Sequence, residues 1–236
     1  MSNETGESFG YEGDGSAPDL LAWALNRFHP RIAIATSLQD SVVIHLATQI
    51  RPDVRVFSID TGRLPEEAYL CAEEIREKLG VRIEWYFPRH EAIEKLETEK
   101  GPFSFKQSLD ARRECCHIRK VEPLRRALTG LTAWITGLRR ADHAARRAVP
   151  KIERDPLHGN ILKINPLADW TDEEVKHYIV RQGIPYNRLL DRNYPSIGCA
   201  CCTRAVEPGD DPRSGRWPWE SADHKECGLH TPNWTI

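Results

Sequence analysis

No stretch of the 236 residues approaches 18 consecutive apolar positions, so no membrane-spanning helix is expected. The opening residues, MSNETGESFGYEGDGS, are acidic and rich in glycine and serine. They lack the apolar core of an export signal. The formal net charge is only −2, without the basic excess that nucleic-acid binders carry. Seven cysteines are too few for a disulfide scaffold at this length, and the number is odd. No internal repeat is present. These absences together predict a cytoplasmic protein with reduced thiols, no membrane contact and no nucleic-acid partner.

What is present is an alternation of short apolar runs and helical periods. Residues 1–17 read as a disordered leader. Strands are predicted at 31–37, 54–60, 81–87, 131–137 and 161–167. Helices are predicted at 39–50, 65–79, from about His90, at 113–128 and at 171–183. Pro65 and Gly80 bracket one of them, and Thr171, Glu174 and Gly183 mark the last. Strands alternating with helices imply an α/β fold with a parallel sheet covered on both faces. The body is expected over 18–204. Past residue 190 the period fails, and proline, glycine, cysteine, arginine and tryptophan dominate. Residues 205–236 read as a flexible C-terminal tail packing on the same domain.

In an open parallel sheet, ligands bind beyond the carboxyl ends of the strands. The first strand ends in Ser37-Leu38-Gln39-Asp40-Ser41 at the start of a helix, where hydroxyls and backbone N–H groups suit a phosphate. This resembles the PP-loop of adenylate-handling enzymes, S-G-G-x-D-S. Ser37, Asp40 and Ser41 match, while Leu38 and Gln39 replace glycines. The second strand runs into Asp60-Thr61-Gly62-Arg63, where a ribose or an adenine is a candidate ligand and a plain turn is the alternative.

The cysteines carry the most specific signal. Cys115 and Cys116 are adjacent in RRECCHIRK, Cys199 and Cys202 bracket a C-x-x-C in IGCACCTR, and Cys227 stands alone in HKECGLH. With DTGR and TGLRR between strands, this set resembles the iron–sulfur assimilatory adenylyl-sulfate reductases from about Ile32 to Ile236. The resemblance implies a PP-loop, adenine-nucleotide alpha hydrolase-like fold. It implies that Cys115, Cys116, Cys199 and Cys202 hold a [4Fe–4S] cluster. Four thiolates are what such a cluster needs. Adjacent cysteines chelate a single ion awkwardly, whereas zinc sites favour two C-x₂₋₄-C pairs. Cys201 competes as a ligand by a shift of register. Cys71, in a predicted helix, reads as a small buried hydrophobe.

The resemblance further implies Cys227 as a nucleophile, among His224, Lys225 and His230, whose charges favour a thiolate. Attack on the sulfur of adenylyl sulfate would leave an S-sulfocysteine, and thioredoxin would then free sulfite. Lys120, Arg146, Arg213, Arg216 and His230 carry over as substrate contacts. Here the loop after TGLRR departs from the family: Ala141-Asp142-His143-Ala144-Ala145 leaves Arg146 or Arg147 as the contact. Trp217 and Trp219 read as a clamp on the tail rather than a purine stack. A phosphoadenylyl-sulfate or dual-specificity reductase is the nearest alternative. A PP-loop sulfur-transfer enzyme and a Cys₄ zinc nucleotide-binding regulator lie further off. The sequence leaves the chain free to act alone or as a homo-oligomer.

Overall fold

The computed structural model describes residues 9–221 and residue 229. Helix α1 (Ala17–Phe28) precedes strand β1 (Ile32–Thr36), helix α2 (Val42–Ile50), strand β2 (Arg55–Ile59), helix α3 (Glu66–Leu79) and strand β3 (Ile83–Tyr86). Helices α4 (His90–Lys100), α5 (Leu109–Cys116) and α6 (Glu122–Leu128) follow. Strands β4 (Ala133–Ile135), β5 (Ile152–Asp155) and β6 (Ile161–Ile164) and helix α7 (Asp172–Gln182) complete the order. The six strands lie in the order β3-β2-β1-β4-β6-β5. All neighbours are parallel except β5 against β6.

β1 is central because its apolar residues can be covered on both sides. Ile32 and Ile34 enter the core that α1, α2 and α3 share, whereas Ala33 joins Phe57, Leu124 and Trp134 on the other face. β2 lies on one flank of β1 and β4 on the other, so the strand order reverses at β1. That reversal opens a crevice beyond the carboxyl ends of the strands.

Helix α1 was not among the expected elements, and the chain departs from them in four further places. Residues 9–17 are not a disordered leader. Phe9 and Tyr11 are buried, the Tyr11 hydroxyl donates to Asp19 Oδ2 at 2.6 Å, and Trp23 Nε1 donates to the Gly10 carbonyl at 3.0 Å. Two aromatics anchored on α1 outweigh a polar, glycine-rich composition. The antiparallel edge strand β5 was not anticipated. Ile152 is its only buried apolar residue, too little for a recognisable alternation.

The helix expected over 113–128 is three pieces. Ser108 caps α5 five residues earlier, accepting from Ala111 N at 3.1 Å. A π-turn, His117–Val121, then separates α5 from α6. Pro123 has no N–H to give the preceding turn, and a widened turn absorbs that loss. Finally, 205–221 is not a loose tail segment. Arg204 N donates to Gly215 O at 3.0 Å, Val206 N donates to Asn193 O at 2.8 Å, and Trp217 is fully buried. Among the described residues no helix is long and apolar enough to cross a membrane.

Candidate active site

The loop after β1 is shaped by side chains where glycines were the expected residues. Leu38 adopts φ 58°, a left-handed backbone that glycine takes without strain. Its side chain is fully buried, which anchors the turn. Gln39 ties the loop to a distant segment: its amide donates to Pro195 O at 3.2 Å and accepts from Ile197 N at 3.2 Å. Asp40 Oδ1 accepts from Val42 N at 3.0 Å and so opens α2.

These loops enclose a cleft of about 250 Å³ at the crevice. Ser37, Gln39 and Asp40 line it after β1, Thr61 after β2, and Thr136, Gly137 and Arg139 after β4. Its floor is apolar, with Ile34, Phe57, Leu124 and Trp134. Lys120, Arg146, Arg213 and Arg216 bring cations to its walls. An aromatic and aliphatic floor suits a planar base, and the guanidinium groups suit phosphate or sulfate oxygens.

The expected ligand residues do not all face this cleft. Ser41 is buried and donates to Pro185 O at 2.7 Å. Asp60 accepts from the Tyr69 hydroxyl at 2.9 Å and from Gly62 N at 2.7 Å, so Asp60 and Gly62 form a turn. Burial, reinforced by the bond to Asp60, pushes the Tyr69 hydroxyl up to about 12. Arg63 points to the cysteines instead, bonding Glu97 at 2.6 Å and Pro102 O at 2.6 Å. Arg146 lines the cleft, held at 3.0 Å by Asp142, whereas Arg147 is not among the lining residues. Cys227 and His230 lie outside the described residues. Leu229, two positions beyond Cys227, lines the cleft.

Arg139 and Gly198 line the cleft but were not among the expected substrate contacts. Arg139 pairs with Asp142 and with Asp172, each at 2.8 Å, and so braces the wall after β4. It sits in the TGLRR segment, where the strand-end rule could have found it. Gly198 is needed for closeness: a Cβ there would collide with the Arg216 guanidinium. Arg216 donates to Ile197 O at 3.2 Å, and Arg213 donates to Ser196 Oγ at 3.2 Å.

A second, small cavity of about 10 Å³ adjoins the cleft. Cys115, Cys116, Cys199, Cys201 and Cys202 line it, with Arg63, Arg112, Arg119 and Phe105 around them. Cys115 and Cys116 close α5, and one short 3₁₀ turn, Ala200–Cys202, capped by Cys199, carries the other three sulfurs. Cys199 Sγ is 3.2 Å from Thr61 Oγ1. Burial raises the Cys115 thiol, against the pull of Arg119 and Arg63. The Cys202 thiol keeps its proton through hydrogen bonds to Cys199 and Cys201, and those bonds lower both neighbours, Cys201 to about 6. Among the described residues, no three His, Cys, Asp or Glu side chains are placed to hold a metal ion together. The thiols ring a space rather than close on one point.

The wall of this cavity is held by two ion-pair knots. Glu97 binds both Arg63 and Arg119, and Arg119 also donates to Thr61 O at 2.7 Å. Arg112 pairs with Glu220 through two bonds of 2.8 and 2.9 Å, both side chains buried. The Arg112 and Arg216 guanidinium groups lie 4.4 and 4.7 Å from the Trp217 ring. Trp217 therefore packs among the cysteines and Trp219 against Phe105, and neither lines the cleft. Lys120 and Cys199 line both cavities. The π-turn buries Lys120 between them.

A mostly parallel sheet whose order reverses at a cleft with an apolar floor and cationic walls defines an α/β protein of the PP-loop, nucleotide-handling class. The family description "Phosphoadenosine phosphosulfate reductase domain" matches residues 29–205. Among curated proteins, the chain is 43% identical over 214 residues to adenosine 5'-phosphosulfate reductase of Burkholderia cepacia, covering 90% of this chain and 85% of that one. It is 46% identical over 201 residues to the same-named protein of Allochromatium vinosum, covering 84% and 78%. Among solved structures, it is similar to phosphoadenylyl-sulfate (PAPS) reductase from Candida auris, in phosphate complex. There the TM-score is 0.68 at 29% identity, with 81% of this chain and 90% of that one covered. Candida glabrata FMN adenylyltransferase shares the fold, with a TM-score of 0.55 at 13% identity over 90% and 72%. The chain belongs to the phosphoadenosine phosphosulfate reductase domain family.

Proposed function

We propose that this protein reduces adenylyl sulfate to sulfite and AMP, with a thioredoxin-type dithiol as reductant. The observation that carries the reading is the shared wall: Lys120 and Cys199 line the ligand cleft and the cysteine cavity alike. The names of the curated relatives support the substrate.

The thiolate of Cys227 attacks the substrate sulfur. The sulfur–oxygen bond to phosphate breaks, AMP leaves with that electron pair, and an S-sulfocysteine forms. A thiolate of the dithiol then attacks the Cys227 sulfur and expels sulfite. Its second thiol resolves the mixed disulfide, so the dithiol supplies both electrons and Cys227 regains its thiolate. Leu229 in the cleft wall supports this role for the neighbouring Cys227. Arg213, Arg216 and Lys120 orient the phosphosulfate and balance charge that moves onto the leaving phosphate.

Cys115, Cys116, Cys199 and Cys202 fit a [4Fe–4S] cluster by the chemistry of their donor set: four buried thiols on one cavity, with cations beside them. The adjacent Cys115–Cys116 pair suits a polynuclear centre better than a lone zinc ion, whose sites favour two C-x₂₋₄-C pairs. When bound, the cluster supplies order and a local field beside Lys120.

Sulfite release is measured with thioredoxin, comparing adenylyl sulfate with its 3′-phosphorylated form. Adenylyl sulfate is the expected substrate, and preference for the phosphorylated form would favour the reading drawn from the Candida auris likeness. Cys227→Ser should bind nucleotide and release no sulfite. Sulfite formation by that variant would overturn the nucleophile.

A further inference from the structure

The cysteine cavity has five thiols, one more than a four-ligand centre uses. Cys199, Cys201 and Cys202 all sit on the same short turn. That turn is tied down at both ends. Ala200 N donates to Arg63 O at 2.8 Å, Thr203 Oγ1 donates to Cys199 O at 2.9 Å, and Trp217 N donates to Cys202 O at 3.0 Å. Cys201 Sγ lies 3.8 Å from Cys202 Sγ, and Arg63 Nη1 donates to it at 3.9 Å. Four of the thiols are buried; Cys201 alone is half-buried.

We propose that Cys201 is a reserve ligand, able to replace Cys202 at the inorganic centre. This rests on the reading of the cavity as a cluster site. The exchange needs little movement, because the two sulfurs are neighbours on one turn and line one space. A C-x-C pair, Cys199 and Cys201, then stands in for the C-x-x-C pair, Cys199 and Cys202. One iron–sulfur bond breaks and another forms. A proton passes through solvent from the Cys201 thiol to the released Cys202 thiolate, and no electrons change hands. Loss or oxidation of one ligand would then not release the centre. Cys71, the other cysteine outside the four-ligand set among the described residues, cannot serve in this way. It is buried in α3 and does not line the cavity.

The test reads iron, acid-labile sulfide and the visible spectrum of anaerobically purified protein, not activity. Wild-type protein without iron would defeat the cluster reading itself. Given iron in the wild type, Cys202→Ser should keep most of it with an altered spectrum, and the Cys201→Ser, Cys202→Ser double variant should lose it. Equal loss in the single Cys202→Ser variant and the double variant would overturn the proposal. A second measurement covers a Cys202 variant that does not fold. Cys201→Ser alone should retain full iron yet surrender it to a chelator severalfold faster than wild type, and an unchanged release rate would count against the reserve role.

Discussion

The two cavities meet at Lys120 and Cys199 but are built by different means. The cleft is made by strand ends: loops after β1, β2 and β4 form its rim because the sheet order reverses there. The cysteine cavity takes from the strand ends only the loop after β2, through Arg63 in its lining and Thr61 beside Cys199. It is made by side chains from α5, the π-turn and the Ala200–Cys202 turn, braced by buried ion pairs. A general fold feature thus supplies the nucleotide-sized space, and a local, sequence-specific device supplies the thiols. Catalysis of the proposed kind needs both, and their contact is one lysine and one cysteine wide.

The sharpest way to break this comparison is at the shared wall. Lys120→Ala should lower kcat/KM by about a hundredfold or more, the scale of losing one preorganised charge-stabilising donor. Its iron content should stay at the wild-type level, because a lysine is not a ligand. Loss of iron together with activity would mean that the two cavities are one structural unit rather than two joined sites. Next in size is the Arg112–Glu220 pair. Glu220→Gln removes the carboxylate charge that Arg112 pairs with inside the fold, and should lower stability in denaturant titration by about 3 kcal/mol. The damage should fall on the cysteine side, as faster iron release, with nucleotide affinity nearly unchanged. Gly198→Ala should be milder. The added Cβ displaces the Arg216 guanidinium, so KM for adenylyl sulfate should rise about tenfold, as expected for one lost charge-assisted contact. A wild-type KM would show that Arg216 does not hold the substrate.

The same contrast explains what could be seen in the sequence. The strands β1, β2, β3, β4 and β6 announce themselves as apolar runs, because both faces of a parallel sheet are covered. The cysteine spacing picked out Cys115, Cys116, Cys199 and Cys202, and the structure brings them to one cavity. Periodicity could not show β5, with one buried apolar residue, or the π-turn, which depends on Pro123 seven residues beyond Cys116. Nor could a polar leader show that Phe9 and Tyr11 find buried seats on α1. The ligand set read from the strand ends was too wide for a geometric reason. Ser37, Ser41, Asp60, Gly62 and Arg63 all lie at strand ends, but Ser41 faces Pro185, Asp60 and Gly62 close a turn, and Arg63 serves the cysteines. Chain position alone does not say which way a side chain turns.

The smallest effect belongs to Asp40, where the cleft costs the fold stability. Asp40 keeps an edge at the cleft but is otherwise enclosed, and this burial raises its carboxyl above the usual 3.8; the Val42 N–H and Arg139 oppose the shift without cancelling it. The sign follows directly. Below 3.8 both folded and unfolded chains hold the proton, and the group is neutral to stability. As pH rises past that value the unfolded chain ionises first, so folded stability falls until the folded carboxyl ionises too. Asp40→Asn keeps an oxygen for Val42 N and cannot ionise. It should therefore be slightly more stable than wild type at pH 7, with the difference closing as the pH falls below about 4, where the unfolded carboxylate is protonated. Denaturant midpoints across that range check it. If nucleotide binding weakens in the same variant, the carboxylate is retained for the ligand at the expense of the fold. A variant less stable than wild type at neutral pH would instead make Asp40 a structural cap of α2, and the cleft would lose its one titrating wall residue from the β1 loop.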